Sequence, residues 1–246
     1  EVVYESLKSD LGCNDVDCLR NTSAAHVLNA KVPHSDGGDG NSETDLPLRW
    51  APVIDGVDLK DTPLNLLKTN GVNPGVEQVM LGTNANEGSI FVDVMPDITS
   101  TQDYTTFLTY HYGAAVTEQL QTLYPLANFS SAYWAASEAY GDSLMTCPAR
   151  ETARLISSGS KLPVYLYYFT RELDLAKTIP AHLKVFHGTE LMFVFDSADL
   201  LVGKEESRLA DDVGRFWASF AASGDPNTAS SGKLELDATL ARAGLQ

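Results

Sequence analysis

Glu87 and His187 are the side chains of this sequence that could work together chemically, and each stands directly before a glycine. An imidazole changes protonation near neutral pH, and a glycine beside it lets the chain turn tightly at a strand end. In Phe186-His187-Gly188-Thr189-Glu190-Leu191 the histidine follows an apolar pair on a short loop, where it suits the work of a general base. Glu87 lies a hundred positions earlier, just past the apolar run Val79-Met80-Leu81-Gly82, and Gly88 permits a tight turn there. A carboxylate so placed would accept a hydrogen bond from one imidazole nitrogen and fix the tautomer. The other nitrogen is then left to take a proton from a hydroxyl nucleophile. The spacing alone is a weak signal. A histidine satisfied by a hydrogen bond at a strand end is the structural alternative.

Elements of two kinds must position these groups. Residues 77–84 form a short apolar run bounded by turn residues, as in a buried strand of a parallel sheet. Residues 163–169 are β-branched and aromatic with almost no charge, the clearest strand of the chain. Helices are expected over 62–69 with Pro63 in the first turn, and over 103–124 with Phe107, Leu108, Tyr112, Val116, Leu120 and Leu123 on one side. Further helices are expected over 131–145, 148–157 and 204–223, the last stopped by Gly224-Asp225-Pro226-Asn227. Residues 1–30 read as helical, with a turn-rich piece over 19–28. Residues 34–45 read as a solvated Gly/Asp/Ser loop without EF-hand spacing, and 48–56 as an extended segment closed by an Asp55-Gly56 turn. Strands alternating with helices indicate an α/β fold with a mostly parallel central sheet flanked by helices. Functional groups collect at the carboxyl ends of such strands, where Glu87 falls. No internal repeat is evident.

With 246 residues, 43% of them apolar, the chain can bury a sizeable core. A formal charge of −16 argues against nucleic acid and against anionic membrane surfaces as partners. No apolar run is long enough to span a bilayer, and no signal peptide is present. The chain opens on Glu1 without an initiating Met, which suggests a mature or internal start. Cys13 and Cys18 lack the further ligands a zinc site needs, so a small disulfide loop is the better reading, and it implies an oxidising compartment. Cys147 is expected to be a buried free thiol. The sequons Asn21-Thr22-Ser23 and Asn128-Phe129-Ser130 fit a secreted glycoprotein.

Several stretches resemble a known family. Leu81-Gly82-Thr83-Asn84-Ala85-Asn86-Glu87-Gly88-Ser89-Ile90-Phe91 is similar to the acid-loop motif of the type-B carboxylesterase/cholinesterase family. Phe186-His187-Gly188-Thr189-Glu190-Leu191 with Val194-Phe195 resembles that family's histidine motif. Likenesses to the same family are also found in Leu11-Gly12-Cys13 with Cys18-Leu19-Arg20, in Trp50-Ala51-Pro52-Val53-Ile54-Asp55-Gly56 and in Gly141-Asp142 with Cys147-Pro148-Ala149. So do Phe216-Trp217-Ala218-Ser219-Phe220-Ala221 and the turn after it. The resemblance implies that residues 1–246 are the C-terminal half of one α/β-hydrolase domain. It also implies a serine hydrolase of carboxylic esters, with Glu87 and His187 as two members of a Ser-Glu-His triad and no cofactor or metal. No Gly-x-Ser-x-Gly occurs, and Gly88-Ser89 and Gly159-Ser160 lack the flanking pattern. The nucleophile and the oxyanion loop are therefore expected on an N-terminal half, the partner of this chain, and a small-molecule ester as substrate. The tail after Asn227 lacks the Trp- and Tyr-bearing segment of the family, which suggests a truncated end. Alternatives on the same scaffold are a non-catalytic cholinesterase-like binding protein, and acyl-transfer or lactone chemistry.

Among other residues, Glu190 is expected to play a structural hydrogen-bonding role near the histidine loop, and Asp142 with Cys147 a packing role behind the site. Trp50, Trp134, Trp217 and the tyrosines of 165–168 read as core. Phe91 and Phe193 are better placed to line a pocket, because they lie in the two loops. His26, His34, His111 and His182 show no partner pattern in the sequence.

Overall fold

Short helices with side-chain caps build the first part of the chain. The computed structural model describes residues 2–31, 52, 54–160, 162–174, 179–197, 200–201 and 203–229. The expected loop at 34–45 and most of the extended segment at 48–56, Trp50 included, lie outside the described residues. Two units are distinguished, Glu1–Val53 and Ile54–Gln246. In the first, α1 (Val2–Leu11) is followed by α2 (Val16–Asn21) and α3 (Ala24–Leu28). Asp15 caps α2 by accepting from the Cys18 N–H at 2.8 Å, and Ser23 caps α3 through the His26 N–H. Cys13 and Cys18 form the expected disulfide.

The second unit opens on α4 (Pro63–Asn70), with Thr62 as cap and Pro63 in the first turn, where its missing N–H costs nothing. β1 (Val79–Asn84) and β2 (Val164–Phe169) form a parallel pair running from Val79 opposite Val164 to Asn84 opposite Phe169. The crossover between them is helical: α5 (Ser89–Asp93), α6 (Thr101–Tyr112), α7 (Ala114–Leu123), α8 (Ala132–Gly141) and α9 (Cys147–Ser160). After β2 come a short 3₁₀ turn at Ala181–Leu183, α10 (Leu191–Val194) and α11 (Lys204–Ser223). α11 ends at Gly224 in the left-handed conformation. Among the described residues no helix is long and apolar enough to cross a membrane.

One apolar centre joins Tyr104, Phe107 and Leu108 of α6 to the buried alanines of α8, where ring contacts link Phe107, Tyr140 and Phe91. A second gathers Phe193, Leu201, Ala210 and Val213, with Phe169 and Trp217 against them. Phe193 is thus core, not pocket lining.

The expected helix over 103–124 is two helices. Gly113, at φ +85° and ψ 152°, closes α6 through an N–H bond to the Thr109 carbonyl and starts α7. The apolar spacing does not register the break, and it overstates the buried face of α7: Thr117 is buried there, whereas Val116 and Leu123 are exposed. Glycine alone tolerates the backbone at the break. The helix expected over 131–145 stops at Gly141 and widens into a π turn at Asp142–Thr146. This turn sits directly ahead of Pro148, whose ring cannot lie against the carbonyl of the preceding turn in an ordinary helix. Cys147, expected to be buried, is exposed at the start of α9. The wide turn lets it point outward, away from the face that α9 buries through Ala153 and Ile156.

Candidate active site

β1 delivers Asn84 and the loop 85–88 to one end of the sheet, and the segment after β2 returns His187 to the same place. Glu87 is 7% exposed, and both carboxylate oxygens are used. Oε1 accepts the Asn84 main-chain N–H at 2.7 Å, and Oε2 accepts from His187 Nδ1 at 2.8 Å. The structure therefore brings together the two side chains the sequence singled out. With Nδ1 bonded to a carboxylate, the neutral imidazole carries its proton there and keeps a free lone pair on Nε2. The His187 side chain is 49% exposed. The Glu87 hydrogen bond raises the His187 pKa above the ordinary imidazole value; partial burial opposes it, and the charges of Glu87 and Glu190 add to it.

A set of amide bonds holds the two loops in register. The Asn86 N–H donates to the Val185 carbonyl at 2.9 Å, and the Val185 N–H returns to Asn86 Oδ1 at 3.3 Å. Asn84 Nδ2 donates to the Phe186 carbonyl at 2.9 Å and to the Glu190 carboxylate. Glu190 thus takes the hydrogen-bonding place expected of it. Ser89 Oγ lies 2.8 Å from the carbonyls of both Asn86 and Leu183, donating to one at a time. Ser89 is fully buried, which fits its exclusion as a nucleophile. Thr189 Oγ1 and Asn84 Oδ1 are buried without a hydrogen-bonding partner among the described residues.

Gly88 is demanded by close approach. A Cβ there would fall 1.9 Å from the Ser137 carbonyl oxygen and 2.7 Å from the Gly141 nitrogen, both main-chain atoms of α8. Gly188, at φ +88°, makes the turn beside His187. Phe91 stacks at a tilt on the His187 ring, with centroids 5.3 Å apart. Tyr167, on β2, is pushed up to about 12 by burial and by the nearby charges of Glu190 and Glu87.

The remaining residues fall elsewhere. Asp142 accepts from the Tyr124 hydroxyl at 2.8 Å, joining α7 to the wide turn. Trp134 lies under the Lys184 ammonium, and Trp217 packs on Tyr167. Asn21 and Asn128 are exposed. His34 lies outside the described residues. His182, for which the sequence offers no partner, is bonded to Asp93. Sequence reasoning missed the roles of Asn84, Asn86 and Ser89; the signal for them was a cluster of short polar side chains where a buried strand meets a helix. Among the described residues no three or more His, Cys, Asp or Glu side chains gather as a metal ion would need.

Comparison with known proteins agrees with this architecture. The sequence profile of the carboxylesterase family matches residues 2–239, and the chain belongs to that family. It is similar to para-nitrobenzyl esterase of Bacillus subtilis, at 27% identity over 89% of this chain and 43% of that protein. Cocaine esterase of Homo sapiens is 27% identical over 87% of this chain and 40% of its own length. The crystal protein of Dictyostelium discoideum is 27% identical over 89% and 41%. The chain thus spans less than half the length of these relatives. Among solved structures, Aspergillus niger EstA superposes with a TM-score of 0.71 at 22% identity, covering 95% of this chain and 47% of that one. A PNB esterase gives 0.67 at 24% identity, covering 95% and 46%. These likenesses establish the α/β-hydrolase fold.

Proposed function

We propose that this chain supplies the acid and the base of a serine carboxylic-ester hydrolase, Glu87 and His187. The observation that carries the reading is the bond from His187 Nδ1 to Glu87 Oε2 at 2.8 Å, with the second carboxylate oxygen tied to the Asn84 N–H. That arrangement leaves Nε2 as the proton acceptor. In this reading the nucleophilic serine and the N–H groups that receive the oxyanion belong to a part of the protein outside this chain, on an N-terminal half. Membership of the carboxylesterase family and the length of the relatives support it.

The serine hydroxyl would pass its proton to His187 Nε2 as its oxygen bonds to the ester carbonyl carbon. Glu87 stabilises the imidazolium that forms, and the imidazolium then protonates the leaving alcohol as the carbon–oxygen bond breaks. Water attacks the acyl-enzyme by the same route and releases the acid. The substrate is a small-molecule ester. Secretion fits the Cys13–Cys18 disulfide and the exposed sequons at Asn21 and Asn128.

The test is labelling of the full-length protein by a fluorophosphonate probe, together with hydrolysis of a p-nitrophenyl ester. Labelling on serine and an inactive His187→Ala variant are expected. Near-normal hydrolysis by that variant would overturn the assignment, and an unlabelled protein without hydrolysis would favour a binding role.

A further inference from the structure

The segment before His187 is fastened to the segment around Glu87 by contacts that run in reverse order along the two stretches. Asn84 meets Phe186, Asn86 meets Val185, Ser89 meets Leu183, and Asp93 meets His182. The first three use main-chain groups of the histidine segment. The last is a bond between side chains: His182 Nε2 donates to Asp93 Oδ1 at 2.5 Å. It closes the series at its open end, where the two side chains are 53% and 34% exposed. Tyr133 of α8 presents its ring edge-on to His182, with centroids 6.1 Å apart, and its hydroxyl donates to the Ser89 carbonyl at 3.0 Å.

The backbone between His182 and His187 explains why a fastening is needed there. Lys184 holds φ +51°, a left-handed value that costs a residue with a side chain. A strained turn three residues before a general base relaxes unless its neighbours hold it. Lys184 Nζ lies 4.2 Å from the centroid of the Trp134 ring, which anchors the turn at Lys184 itself. The His182–Asp93 bond anchors it two residues earlier.

We propose that the His182–Asp93 pair is a clasp that sets the position of His187 for proton transfer. His182 and Asp93 are positioning residues, since they act through the loop rather than on substrate. The inference rests on the reading of Glu87 and His187 as acid and base. A side-chain hydrogen bond this exposed adds little to global stability, so its effect is local to the loop. Displacing a catalytic group slightly is expensive in rate, because the reacting atoms leave their aligned geometry.

The experiment compares full-length wild type with Asp93→Ala, His182→Ala, the double variant and His182→Gln. Hydrolysis of a p-nitrophenyl ester is measured alongside amide hydrogen exchange at Asn86 and Val185. Each alanine variant is expected to lose about tenfold in kcat with KM changed by less than about twofold. The double variant should fall no further than either single one, because the two residues act as one pair. His182→Gln, whose amide can still donate to Asp93, should recover most of the rate. Exchange at Asn86 and Val185 should quicken in His182→Ala and return in His182→Gln. Unchanged kcat and exchange in His182→Ala overturn the proposal, as does a glutamine variant no better than alanine. If wild type neither hydrolyses ester nor takes the fluorophosphonate, the functional reading fails by itself. Exchange then decides whether the pair restrains the loop: faster exchange in His182→Ala upholds the restraint, and unchanged exchange removes it.

Discussion

Glu87 commits both carboxylate oxygens, one to a main-chain N–H and one to His187, so neither it nor the imidazole can rotate without breaking a bond. Two expectations follow for pH and substitution. In the proposed reaction His187 is a base only when neutral, and its pKa is raised by the Glu87 bond. The rate should therefore fall as pH drops through that raised value. Glu87→Gln should lower kcat by about ten-thousandfold, the scale seen when a triad acid is neutralised. A pH–rate profile of the residual activity should show the acid limb displaced to lower pH. Stability carries the same sign. A histidine whose pKa is higher folded than unfolded stabilises the fold fully below the unfolded value. That contribution is lost as pH rises through the folded one. The stability advantage of wild type over Glu87→Gln should thus be largest below the ordinary imidazole value of 6.5 and shrink above it, as melting temperatures across pH will report.

Glycines decide how closely the elements approach. Gly88 lets the start of α5 rest on the main chain of α8, and a Cβ would meet the Ser137 carbonyl and the Gly141 nitrogen, neither of which can swing away. Gly88→Ala should therefore cost about 3 kcal/mol, the upper range for overpacking, as read from denaturant midpoints. Gly113 acts through its dihedral rather than through space, since nothing lies within 4 Å of a Cβ built on it. Gly113→Ala should cost roughly 1–3 kcal/mol of backbone strain and should be felt in the α6–α7 corner rather than at Glu87. The two variants separate crowding from strain, and hydrogen exchange will locate each effect.

At the scale of the molecule, β1 and β2 pair with each other alone among the described residues, and Leu166 and Tyr168 of β2 are exposed. Parallel sheets are ordinarily covered on both faces. Under the proposed function, residues outside this chain cover that surface. This chain alone should then enhance the fluorescence of a hydrophobic dye, and the full-length protein should not. The cysteines offer a second check. One iodoacetamide adduct, on Cys147, is expected before reduction, and three after reduction and unfolding, when Cys13 and Cys18 are released. Alkylation of Cys147 should be slow at neutral pH, because partial burial and the Asp142 charge raise its pKa.

What the sequence determined by itself was mostly local. Helix α11 was legible to the residue because its apolar stripe and its Gly224 stop are written within twenty positions of one another. The strands at 79–84 and 164–169 were legible because β-branched and apolar runs bounded by turn residues have few other uses. Glu87 and His187 stood out through their glycine neighbours. The family resemblance implied that they meet across a hundred residues; tertiary structure alone decided the geometry of that meeting and that Asn84, Asn86 and Ser89 hold it in place. It also decided the break at Gly113, the outward turn of Cys147 and the bond between His182 and Asp93. The physical reason is common to all of these. Propensity and periodicity act over a turn or two of chain, whereas which carbonyl faces which amide depends on how whole elements pack, and no single residue records that.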